Sequence, residues 1–246
     1  MKKLFTILSL VAGFSSPASA AEVAFLHLLN ASEFKTLSED FGSALSYKAV
    51  SPAAPLGGLI GFGFDIGIGV SSTDISKSAA VLDKATGTST GLKTMIIPKL
   101  HATIGLPFGI DVGVFTSAVP STNIKLTGAE MKIALVKGGV ATPAIAIRGA
   151  VTKMSGVDQL AFDTKSVDLS ISKGFTIFTP YAGIGQVWVN SKANVAGSGG
   201  AVLDASFTQS KLFVGGNLNF GLSNLALEGD KTGDATSYSV KFGFRW

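Results

Sequence analysis

The chain ends in Tyr238-Ser239-Val240-Lys241-Phe242-Gly243-Phe244-Arg245-Trp246. Every second residue is aromatic or branched, and those between are small or charged. That is the period of a β-strand with one apolar and one polar face. Residues 60–70 repeat it: Ile60, Phe62, Phe64, Ile66, Ile68 and Val70 alternate with Gly61, Gly63, Asp65, Gly67 and Gly69. Ten such segments can be read, near 57–71, 94–106, 108–118, 123–137, 142–154, 159–173, 175–190, 206–220, 223–230 and 236–246. Several approach fifteen residues, against ~5–6 for a usual soluble strand.

The connections decide between a sandwich and a barrel. The first (72–93) and seventh (191–205) are long, and every even-numbered one is a tight turn, as at Pro107-Phe108-Gly109 or Lys173-Gly174. In an up-and-down barrel odd and even connections lie on opposite rims, so sorting by parity has a cause there. A Greek-key sandwich has none.

Composition agrees. The 246 residues are 46% hydrophobic and 15% charged, with 30 glycines and no cysteine. Mean hydropathy is +0.44. Yet no run after residue 20 provides the ~20 apolar residues of a spanning helix. A polytopic helical protein and a disordered chain are both excluded. The net charge of +4 includes Lys2 and Lys3. Without them it offers nothing for nucleic acid to bind, despite a pI near 9.2.

Residues 1–20 read as a signal peptide: a basic Met1-Lys2-Lys3, an apolar run over 4–14, and a small-residue site at Ala18-Ser19-Ala20. Export with no cysteine means a fold without disulfides.

With its signal peptide, even strand count and aromatic final strand, the sequence resembles Gram-negative outer-membrane β-barrel proteins. The resemblance implies a closed antiparallel transmembrane barrel in the bacterial outer membrane over residues 57–246. It also implies two partners, outer-membrane lipid and the barrel assembly machinery. In that superfamily an alternating terminal strand with a last aromatic residue is the assembly signal, a role that falls here to Tyr238, Phe242, Phe244 and Trp246.

Residues 21–56 break the pattern. Phe34, Leu37, Phe41 and Leu45 fall at helical spacing, and Asn30 with Glu33 resembles a capping box. Pro52 and Pro55 mark an extended linker behind the helix. The helix either lies on the periplasmic rim or plugs the lumen. A third option makes residues 44–50 and another stretch near 23–29 extra strands, twelve in all.

Strand parity turns Asp65, Lys99, His101, Asp111, Glu130, Lys132, Arg148, Asp168, Lys211, Asn217, Asn219, Glu228, Lys241 and Arg245 inward. Both signs are interspersed. The expectation is a paired network filling a narrow barrel, with a polar conduit as the alternative. Ile124, Leu126, Leu160 and Phe162 fall out of phase with the apolar residues further along their strands. That suggests bulges, or apolar side chains turned inward at the outer mouth. Gly61-x-Gly63 and Gly183-x-Gly185 read as room for close packing. No metal-ligand pair, cofactor motif or nucleophile elbow is present, so no enzyme is expected. The functional expectation is a narrow channel or transporter for small or moderately hydrophobic solutes, the ligand unknown. The alternative is a closed structural or loop-displaying barrel.

Overall fold

The alternation of outward apolar and inward small or polar residues builds ten strands. They are β1 (Gly63–Asp74), β2 (Thr94–Leu106), β3 (Ile110–Ala118), β4 (Lys125–Lys137), β5 (Ala144–Ser155), β6 (Leu160–Ser172), β7 (Phe178–Asn194), β8 (Val202–Phe220), β9 (Ser223–Thr232) and β10 (Ala235–Arg245). Two helices accompany them, α1 (Ala31–Leu45) and α2 (Ala79–Thr86). The structure is a computed structural model and describes residues 26–57, 61–120, 122–194 and 202–246. The signal segment and residues 23–25 lie outside them.

Each strand pairs antiparallel with its sequence neighbours, and β1 pairs β10 from Asp65↔Arg245 to Thr73↔Ser237. The sheet is therefore a closed barrel. At the seam the Phe64 amide donates to the Trp246 carbonyl at 2.7 Å, and the two rings stack with centroids 5.4 Å apart. The even connections are tight. Gly138 and Gly221 turn them with φ of 77° and 75°, conformations that a side chain would strain.

Three expectations are corrected. Residues 44–50 form no strand: the capping box at Asn30 starts α1, which runs through Leu45, and residues 46–57 continue as irregular chain. Leu26–Leu28 is a 3-10 turn, so the twelve-strand alternative falls. The first strand starts at Gly63, because residues 56–57 lie against the wall instead of in it. A side chain at Gly63 or Gly105 would collide with the backbone of Leu56 or Gly57. Finally, of the two readings of the mouth, the bulge falls among the described residues and the inward-turned apolar side chains stand. Register is continuous past Leu126 and Leu160, and the one shift in the β4–β5 pairing comes between Ala134 and Val136. Ile124, Leu126, Leu160 and Phe162 point inward in strict alternation, because an apolar helix waits there. Of the four glycines in the two Gly-x-Gly pairs, Gly63, Gly183 and Gly185 face crowded neighbours, whereas Gly61, ahead of the first strand, meets nothing.

The barrel is unequal in height. β8 pairs β9 only from Lys211 to Phe220, while its pairing with β7 continues to Val202. The short β9–β10 hairpin leaves a notch beside the upper half of β8. Helix α1 sits there, held by the Gln209 side-chain amide on the Glu39 carbonyl at 3.0 Å.

No helix among the described residues is long and apolar enough to cross a membrane. The outer wall instead carries exposed Ile66, Ile68, Leu100, Val114, Leu169, Ile184, Leu212 and Val240. Phe108, Phe175, Phe220, Phe244 and Trp246 crowd the tight-turn rim, and Trp188 and Tyr238 stand higher. From Phe178 to Trp188 is ten residues of strand. At ~3.3 Å per residue and a tilt near 40° that is about 25 Å, the height of a barrel's lipid-facing band. A closed sheet with this exterior is a transmembrane β-barrel, since closure satisfies every ladder group without water. Val240→Arg, near mid-band, should cost about 2–4 kcal/mol, and Phe244→Arg at the rim at most about 1 kcal/mol. Urea titrations in liposomes measure both, and equal costs would displace the band.

Candidate functional site: the filled lumen

The lumen has two halves of opposite chemistry. On the long-loop side it is apolar. Phe34, Leu37, Phe41 and Leu45 of α1 are buried against Leu126, Met154, Phe162, Val187 and Val189. The Phe41 and Phe162 rings meet edge-on at 6.4 Å. Gly42 allows this depth, since a Cβ there would stand 2.7 Å from Val189 Cγ2. The structure thus places the helix inside the barrel at its long-loop end, away from the tight-turn rim. The loop after β1 covers it. Lys77 Nζ reaches Glu39 and Asp234, each at 2.8 Å, and Lys84 Nζ reaches Glu33 at 2.8 Å. The Ser78 amide donates to Asp40 at 2.8 Å. Burial pushes the Asp40 carboxyl up, and the Ser78 bond opposes it.

Below the helix the lumen is charged. Asp65 collects His101 Nε2 at 3.0 Å, Arg245 Nη2 at 2.7 Å and Lys241 Nζ at 3.5 Å. Lys132 pairs Asp111 at 2.9 Å, Arg148 pairs Glu130 at 2.8 Å, and Lys211 pairs Asp168 at 3.2 Å. Asn217 and Asn219 bond each other at 2.8 Å, and Glu228 is buried. Among the described residues Lys99 makes no ion pair with a carboxylate. Its ammonium lies 4.9 Å and 5.1 Å from the Tyr47 and Phe115 ring centroids.

Through this half runs the irregular chain from Ser46 to Gly57, and the charges hold its backbone. Lys211 Nζ donates to the Tyr47 carbonyl at 3.1 Å, and Lys99 Nζ to that of Lys48 at 2.5 Å. Lys132 Nζ donates to Pro52 and Ala54 carbonyls at 3.1 and 2.9 Å. Arg148 Nη2 reaches Ser51 Oγ at 2.9 Å. The Leu56 amide donates to Asp111, and the Ala54 amide to Ser172 Oγ. The segment adds one charge of its own: Lys48 pairs Asp230 at 2.9 Å, with both side chains essentially inaccessible. Reading by parity missed this pair. Asp230 shares the phase of Glu228 and could have been found, whereas Lys48 lies where no period exists. Among the described residues two small cavities, of about 10 and 20 Å³, lie in this half, one beside His101 and Lys99 and one among Asp65, Glu130 and Lys132. Each has room for about one water. Among the described residues no acidic or histidine cluster could hold a metal.

On the final strand Tyr238, Phe242 and Phe244 face outward, and Trp246 stacks on Phe64 at the seam.

No family model matches the chain, and no curated protein does. Solved structures do. The N-terminal β-barrel domain of OprF from Pseudomonas aeruginosa matches at 11% identity and a TM-score of 0.37, covering 74% of this chain and 97% of that one. Ail, the attachment invasion locus protein of Yersinia pestis, matches at 11% and 0.37, covering 75% and 97%. The outer membrane protease OmpT from Escherichia coli matches at 8% and 0.36, covering 75% and 96%. The class defined by closure, band and filled lumen is the ten-strand antiparallel transmembrane barrel.

Removing one member of a buried pair leaves an uncompensated charge, at a cost of about 3–5 kcal/mol, whereas replacing both with apolar residues is often neutral. Asp230→Ala should therefore lower the urea midpoint more than the Lys48→Met/Asp230→Leu double change. A single variant no worse than the double would mean that Lys48 finds other compensation.

Proposed function

We propose that this chain is an integral protein of the Gram-negative outer membrane, a barrel kept shut by its own residues 26–57. It is exported by a signal peptide cleaved after Ala20. The assembly machinery inserts it by reading Tyr238, Phe242, Phe244 and Trp246. Its role is structural and displaying: a rigid, sealed base that presents the loop carrying α2 and the β7–β8 connection outside the cell. One observation carries the closed reading. The segment that threads the lumen is bonded along its length by Lys99, Lys132, Arg148, Lys211, Asp111 and Ser172, and the two small cavities described beside it each have room for about one water.

A narrow conduit is the second reading, and the same charges favour it. If residues 26–57 withdrew, mixed-sign ion pairs would line a wettable path whose carboxylates and cations offset one another.

Planar-bilayer recording separates the two. The full chain should be electrically silent. A variant lacking residues 26–50, shown to be folded by its heat-dependent gel migration, should open a small conductance with weak ion preference. Steady conductance by the full chain would overturn the sealed reading. Recovery in the soluble periplasm would overturn the membrane placement.

A further inference from the structure

One buried ion pair differs from the others in the lumen. Lys132 divides its donors among Asp111 and the Pro52 and Ala54 carbonyls. Lys211 holds the Tyr47 carbonyl as well as Asp168. Lys241 stands 3.5 Å from an Asp65 that His101 and Arg245 hold more closely. Lys48 Nζ, by contrast, has Asp230 as its one hydrogen-bond partner among the described residues, at 2.9 Å. Asp230 meets it with Oδ1, while Asp230 Oδ2 is buried and makes no hydrogen bond among those residues.

The surroundings suit a reaction between the two. The carboxyl carbon lies one bond beyond Oδ1, close to the ~3–3.5 Å from which held groups react. Thr232 Oγ1 donates to the same Oδ1 at 3.1 Å. Across the sheet Asp230 is in register with Phe213 on β8 and Ser237 on β10, so no wall cation stands beside it on either strand. Two residues along the same inward face, roughly 7 Å of strand, stands Glu228, buried and with Oε2 unbonded among the described residues. That span is one a single water closes for proton transfer.

We propose that Lys48 and Asp230 condense into an intramolecular amide that ties the lumen segment to β9. The ammonium passes one proton to Oδ2. The amine nitrogen then attacks the carboxyl carbon, the C–N bond forms, and Thr232 meets the charge that gathers on Oδ1. A second nitrogen proton travels by way of Glu228 to the Oδ2 hydroxyl, the C–Oδ2 bond breaks, and one water leaves. The third hydrogen stays as the amide N–H, and nothing is oxidised or reduced. The cavity of about 10 Å³ that Lys48 helps to line has room for the released water. The product is favoured because a neutral amide is less costly to bury than two charges. The bond deepens the sealed reading above by making the seal permanent, and its test reads mass instead of current.

The full-length protein is taken from membranes, denatured and digested with trypsin. In a linked chain Lys48 is no longer cut, so a peptide of residues 36–77 should appear joined to one of residues 212–231, lighter than their sum by one water. Fragmentation should place the link at Lys48 and Asp230. Lys48→Arg, which keeps the charge and lacks the amine, should give the 212–231 peptide free. In pulse-labelled cells Glu228→Gln should slow the appearance of the linked species at least about tenfold, against ~10²–10⁴ for a well-placed proton-transfer group. Recovery of the wild-type chain wholly as separate peptides 36–48 and 212–231 would overturn the bond. Linking at the wild-type rate in Glu228→Gln would overturn the part given to Glu228. A linked chain that conducts in the bilayer would bear out the bond and sink the seal alone; a silent chain without the link would do the reverse.

Discussion

At membrane depth a backbone amide or carbonyl without a partner costs several kcal/mol, because lipid offers nothing to bond. The barrel meets this demand for its strands by closing β1 on β10. It then raises the same demand inside itself, because residues 46–57 cross the lumen as neither helix nor strand. Their carbonyls and amides lie at a depth where only the wall can answer them. Three wall lysines and two wall acceptors do so, and Arg148 holds the Ser51 hydroxyl beside them. Lumen charge in this protein is therefore a backbone-satisfying device first. A lysine suits the task, since one ammonium carries three donors and can serve a carboxylate and two carbonyls at once, as Lys132 does with Asp111, Pro52 and Ala54.

The two halves of the lumen follow from what fills them. An α-helix satisfies its own backbone, so α1 needs only apolar contact, and the wall around it is Leu, Val, Met and Phe. The irregular chain cannot satisfy itself, and the wall around it is Lys, Arg, Asp and Glu. The change from one wall chemistry to the other coincides with the end of the helix at Leu45. Tyr47 stands at the junction, its ring 5.1 Å from Phe115 and its carbonyl bonded to Lys211. Because each buried charge is tied to a specific acceptor, sliding the segment by one residue would strand several charges at once. The ion pairs thereby fix one register for the plug, and selecting among alternatives in this way is the best-attested use of buried polar groups.

The wall was legible in the sequence because a strand with lipid on one side and protein on the other must alternate. Tyr238 to Trp246 show that without ambiguity, and loop parity supplied the closure. The capping box at Asn30 and the spacing of Phe34, Leu37, Phe41 and Leu45 were also legible, since both are local. Which end of the barrel that helix occupies was not, because nothing local encodes a contact between Phe41 and Phe162, over a hundred residues apart. The same blindness made Leu126 and Phe162 look out of phase. A two-letter reading expects polar residues inward, and these positions are apolar because the lumen there holds a helix and not water. Lys48 was invisible for a related reason: it lies in a segment with no period, and its partner Asp230 is on the ninth strand.

The unequal heights of the strands explain why the helix enters where it does. With β9 and β10 short, a barrel of uniform wall chemistry would expose an apolar mouth through the notch beside β8, together with the backbone edge of that strand. An exposed edge invites pairing with another chain. Helix α1 lies beside that edge and presents Glu39 and Lys35 outward while its apolar face turns in. The helix is thus part of the wall as much as a plug. Its contacts run to β8, β1, β10 and β7, the strands on both sides of the gap. Shortening one hairpin and lengthening the next creates a place that suits an amphipathic element, and the chain fills it with the helix that precedes its first strand.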